Sequence, residues 1–142
     1  MADLMLQDTR VEPWLRRSSA LVAVPSSLPN RIKRGFDVGA ELTARLANTT
    51  GVHFEENLLK RRSFRSQRLR KDLEDRRSNH QNFKARRAEL EGVVGLVDDI
   101  SVSTQTLRHA AAALHMAGAA EIWVWTFSRR LNTKTTEALT KE

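Results

Sequence analysis

The residues best suited to chemistry in this chain stand together in GVVGLVDDISVSTQTL, Gly92 to Leu107. Two adjacent carboxylates, Asp98 and Asp99, close an apolar run, and the hydroxyl and amide residues Ser103, Thr104, Gln105 and Thr106 follow. A buried strand that stops in paired acids and then enters a helix through hydroxyl residues has the layout of an α/β ligand site, where ligands sit outside the carboxyl ends of strands. Adjacent acids at a strand end also serve as solvated loop residues or helix caps, so the surrounding elements decide between the two. His53, His80, His109 and His115 show no metal-ligand spacing beside acids, and we assign no protein-held metal site.

The elements that must position the acids alternate between strand and helix. Ala20 to Val24 is a short β-branched apolar run, ended by the breakers of Pro25-Ser26-Ser27-Leu28-Pro29-Asn30. Phe36, Ala40, Leu42, Ala44, Leu46 and Ala47 recur at helical spacing before Asn48-Thr49-Thr50-Gly51, which predicts a helix over 37–48 capped by Asp37. Leu58 and Leu59 mark a further strand. Val93, Val94, Leu96 and Val97 form a strand, 106–117 an alanine-rich helix stopped by Gly118, and Ile122 to Phe127 another strand. Trp123 and Trp125 alternate there, placing both on one face of a sheet. Strand, helix, strand in that order is a βαβ unit, whose right-handed crossover gives parallel strands.

Composition sets the limits. A chain of 142 residues with 40% hydrophobic content suffices for one domain with its own core. No cysteine is present, which excludes disulfides, a zinc ribbon and a thiol nucleophile and favours the cytoplasm. The opening MADLMLQDTRVEPWLRR lacks an apolar core of signal-peptide length, and no run approaches the roughly 20 apolar residues of a membrane span. The net charge is concentrated. Lys60 to Arg87 holds 12 Lys or Arg against Asp72, Glu74 and Asp75, a net of +9 that leaves −2 for the rest of a chain whose total is +7. Clustered cations attract nucleic acid, polyphosphate or acidic partners. Phe64 and Phe83 within that stretch suit base stacking or satellite core packing, the latter being the commoner use. The organisation expected is an N-terminal extension over 1–19, a domain over 20–129 with a basic mobile segment at 60–88, and a polar tail over 130–142.

Several blocks in order carry a resemblance: Val22-Ala23-Val24-Pro25, Arg34-Gly35-Phe36-Asp37, Arg76 with Asn79, VVGLVDDISVSTQTL and AAALHMAGAAEIWVWTFSRR. Together they resemble type I phosphoribosyltransferases, and more narrowly the ComF branch, over about Leu21 to Arg129. The resemblance implies a single-domain α/β fold with a twisted, mostly parallel sheet flanked by helices, and glycosyltransferase chemistry on 5-phosphoribosyl 1-pyrophosphate with magnesium carried by the ligand. It implies that Asp98 and Asp99, as ionised acceptors, take the ribose hydroxyls, and that Ser103, Thr104, Gln105 and Thr106 wrap the 5′-phosphate. It places Arg65, Arg68 and Arg70 in a loop over the pyrophosphate. Through competence, the same resemblance implies a link to DNA uptake, with single-stranded DNA or competence proteins as partners of the 60–87 segment; whether the chain forms a homodimer is left open by the sequence. The chain departs from the family's pattern in the phosphate loop, where Thr104 replaces a glycine and Val102 a threonine. Valine cannot abstract a proton, so no catalytic base is assigned, and an inactive remnant is the third reading. The family's N-terminal zinc ribbon is absent from this sequence.

Overall fold

The alternation of apolar runs produces two crossovers that run in opposite directions from a central pair of strands. The computed structural model describes residues 1–62, 83–101 and 104–129. In chain order its elements are α1 (Ala2–Gln7), α2 (Val11–Arg16), β1 (Ala20–Ala23), α3 (Leu28–Arg34), α4 (Val38–Thr50), β2 (His53–Phe54), β3 (Leu59–Arg61), β4 (Phe83–Ala85), β5 (Val93–Ser101), α5 (Thr104–Met116) and β6 (Glu121–Arg129). The main sheet has the order β2-β1-β5-β6 with every pair parallel. β3 and β4 form a separate antiparallel pair. The chain is therefore α/β, with a parallel four-stranded sheet flanked by helices. No helix among the described residues is long and apolar enough to cross a membrane.

Period-two alternation divides the sheet's side chains between two cores. Leu21, Val97, Phe54, Trp125 and Phe127 meet Leu42, Leu46 and Ala47 of α4, together with Ala2, Met5 and Leu15. Val22, Val24, Val94, Leu96 and Ile122 meet Ala110, Ala113 and Leu114 of α5, with Leu58, Leu59 and Phe83. Because both faces are covered, β5 reads as an unbroken apolar run rather than an alternating one. Within that run, position 95 is glycine for a steric reason. A Cβ there would stand 2.6 Å from Leu21 Cδ2 and 3.1 Å from Ser18 Oγ.

The helix ends follow the local sequence. Asp37 accepts a hydrogen bond from the Ala40 amide at 3.3 Å, satisfying one of the free donors of α4's first turn. Gly51, at φ 75°, ends the same helix. Thr43 and Thr50 are buried within it, each hydroxyl donating 2.7 Å to the carbonyl four residues back. α3 begins inside the stretch that its breakers mark as loop, because Pro29 falls in the first turn, where no intrahelical N–H bond is required. α5 starts at Thr104 rather than Thr106. Residues 1–19 supply α1 and α2, and Leu15 is wholly buried. Arg16 fastens α2 to α4 by donating to the Thr50 carbonyl at 2.7 Å, at the negative end of that helix.

Candidate ligand-binding site

β1 leads outward to β2 and β5 leads outward to β6, so the strand order reverses between β1 and β5. In open parallel sheets the crevice at the carboxyl ends of such a pair is where ligands bind. Here β1 empties into Pro25-Ser26-Ser27, and β5 carries Asp98 and Asp99 past the end of that pairing, which runs to Ala23 and Val97. Alternation along β5 sets Asp98 on the α5 side of the sheet with Leu96 and Asp99 on the α4 side with Val97. Each acid has a cation on its own side. Arg34 Nη1 lies 3.8 Å from Asp99 Oδ2, and Arg61 acts on Asp98.

Asp98 is 8% exposed. Burial, followed by the charge of Asp99 and a side-chain hydrogen bond to it, pushes its carboxyl up from 3.8 to about 7, against smaller opposing effects of a backbone hydrogen bond and of Arg61. Near neutral pH Asp98 therefore holds a proton for part of the time. It can donate as well as accept, which differs from the acceptor-only pair expected from sequence.

Beside the crevice opens a cleft of about 930 Å³. Val22, Ala23, Phe54 and Leu59 supply apolar wall, while Arg31, Lys60, Arg61 and Arg62 bring four cations to it and Asp37, Glu55 and Glu56 three carboxylates. The acid pair is not part of the cleft's lining. Arg61 joins the two regions: its guanidinium lies 4.9 Å from the centre of the Phe83 ring, its Nε donates to the Pro25 carbonyl at 3.3 Å, and its charge reaches Asp98. Asp37 does more than cap α4. Its carboxylate also accepts from the Ser26 amide and the Ser26 hydroxyl, each at 3.1 Å, which fixes the loop leaving β1.

Among the residues singled out by sequence, Thr104, Gln105 and Thr106 form the first turn of α5, the first two exposed and Thr106 half-buried. The free amides of that turn and the helix dipole favour an anion. Thr104 is helical, and Asn57 is the only non-glycine residue with positive φ among the described residues, so threonine in the place of glycine carries no backbone strain. Ser103, Val102, Phe64, Arg65, Arg68 and Arg70 lie outside the described residues. Phe83 is core, 2% exposed. Sequence reasoning missed Arg31, Arg34 and Arg61 as site cations. The signal for Arg34 was present in its block with Gly35, Phe36 and Asp37, but nothing local told Arg61 apart from its neighbours.

Among the described residues no group of three or more His, Cys, Asp or Glu is arranged to hold a metal ion. Two adjacent carboxylates nevertheless suit magnesium arriving on a phosphorylated ligand, since that ion commonly takes one or two carboxylates alongside substrate phosphates and water. No protein-family model matches the chain, and no curated protein matches it significantly.

Proposed function

We propose that the crevice between β1 and β5 binds 5-phosphoribosyl 1-pyrophosphate with magnesium, and that the chain is a ComF-type phosphoribosyltransferase-like domain. The observation that carries this reading is the Asp98–Asp99 pair at the switch point, one member buried and held at raised proton affinity, as functional carboxylates often are. The two carboxyl groups take the ribose 2′ and 3′ hydroxyls. The first turn of α5, with Thr104, Gln105 and Thr106, takes the 5′-phosphate, and Arg34, Arg31 and Arg61 offset the charge of the pyrophosphate. Asp98 and Asp99 would hold magnesium arriving on the ligand, and the ion would supply positive charge that lessens what these arginines must meet.

Displacement of pyrophosphate builds positive charge at the anomeric carbon, and the carboxylates stabilise that charge from fixed positions. Binding is the better supported half of the proposal, because none of the described residues is assigned as the base for an acceptor. The test is thermal unfolding and calorimetry of the full chain with magnesium and 5-phosphoribosyl 1-pyrophosphate. A ligand at 100 times its dissociation constant adds about 2.7 kcal/mol, and Asp99→Asn is expected to weaken binding by about 1.5–3 kcal/mol, the range for a hydrogen bond to a charged group. No stabilisation by the ligand, with steeply salt-dependent binding of single-stranded DNA instead, would replace this reading with the nucleic-acid one.

A further inference from the structure

β6 is the edge of the main sheet: β5 occupies one side of it, and no described strand occupies the other. Its sequence, EIWVWTFSR, is among the most apolar of the chain, yet from Glu121 to Ser128 none of its residues is buried, and Val124 is 44% exposed. β5 has the same length and buries every residue from Val94 to Asp98. Edge strands are normally protected by shortness, proline, an inward charge or lysine. β6 runs for nine residues with no proline or lysine, and its only charges are at its two ends. An aromatic shoulder adjoins it. Trp123 meets Trp14 edge to face at 5.1 Å, and Arg17 lies over both rings at 4.8 and 5.5 Å.

We propose that β6 pairs antiparallel with β6 of a second copy of the chain, about a two-fold axis at Trp125, giving one continuous eight-stranded sheet. The strand is self-complementary about that residue. Glu121 falls opposite Arg129 of the second copy, so opposite charges meet at both ends of the seam. Trp123 falls opposite Phe127 and Val124 opposite Thr126, which are aromatic and β-branched cross-strand pairs on the sheet's two faces. Moving the axis to Trp123 sets Glu121 against Trp125 and leaves Arg129 without an acid. Moving it to Phe127 leaves Glu121 to Val124 overhanging. A two-fold interface requires this kind of self-matching, whereas capture of an unrelated peptide does not. The seam is across the sheet from β2 and the cleft, so the inference stands apart from the proposed ligand.

The test is sedimentation equilibrium of the full chain over a concentration series, with Glu121→Arg, Arg129→Glu and the two together. The wild type is expected to dimerise. Each single change sets like charges opposite one another twice per dimer and is expected to weaken association about tenfold. The double exchange is expected to restore wild-type affinity, although it lacks the Glu121 to Trp123 hydrogen bond just as Glu121→Arg does. Circular dichroism of each variant keeps misfolding separate from loss of pairing. A wild type that stays monomeric at every concentration would overturn the proposal, because residues of the same chain or solvent would then cover the edge. A dimer indifferent to both single exchanges, or one not rescued by the double exchange, would equally overturn it.

Discussion

Replacing Asp98 by asparagine should stabilise this protein in neutral and alkaline solution while leaving its stability in acid nearly unchanged. The wild-type carboxyl titrates near 3.8 in the unfolded chain and is raised to about 7 in the fold. Between those values the native state binds more protons than the unfolded state, so the contribution of Asp98 makes stability fall as pH rises. Below about pH 4 the penalty is absent, and above about pH 7 it is fully present. At about 1.4 kcal/mol per tenfold change in proton affinity, the ceiling is roughly 4 kcal/mol. Local relaxation and residual solvation reduce it, so a gain of about 2 kcal/mol at pH 8 is the expected result. Asparagine is nearly isosteric and keeps a donor facing Asp99, as the protonated acid does. The assay is urea unfolding of both proteins from about pH 4.5 to pH 8.5, read as the difference between them so that other titrations cancel. Parallel curves, or a variant that loses ground as pH rises, would refute the claim that a buried acid pair is held at a cost.

Two packing predictions test the frame that holds the site. Gly95→Ala is expected to cost about 1–3 kcal/mol, because the new methyl group would meet Leu21 and Ser18 at the β1–β5 seam; an unchanged denaturation midpoint would show that the seam is looser than described. Leu15→Ala is expected to cost about 2–5 kcal/mol in the same measurement, since Leu15 is wholly buried among α4 and sheet residues, and a loss below about 0.5 kcal/mol would show that α2 is dispensable.

The legible parts of the fold were those in which one short stretch contains its own explanation. β5 and β6 announce themselves as apolar runs, and Asp37 with Gly51 brackets α4 by local capping chemistry. The acid pair was legible as two carboxylates following an apolar run, but β5 does not stop there as the sequence suggests: it continues to Ser101, because its pairing with β6 outlasts its pairing with β1. α1 and α2 were not, since six residues each are too few to display a helical period and their stability comes from docking. β4 escaped because Phe83 is a single apolar residue in a cationic stretch, and its partner β3 is more than twenty residues away in sequence. The elevated proton affinity of Asp98 depends on burial beneath elements far along the chain. That information exists only after folding.

The core that joins the first helices to the last strand also dictates when this protein can fold. Met5 and Leu15 share one cluster with Trp125 and Phe127, and Trp14 meets Trp123 across more than a hundred residues of sequence. β1 finds its central partner only at Val94 to Val97. A nascent chain can therefore close α4 locally, but the main sheet cannot assemble until β5 has left the ribosome, and the α1–α2 pair has no complete surface to dock on until β6 has followed. Such long-range closure slows folding and leaves apolar segments exposed meanwhile. The N-terminal helices thus act late, as the latch of a structure whose other parts were made after them.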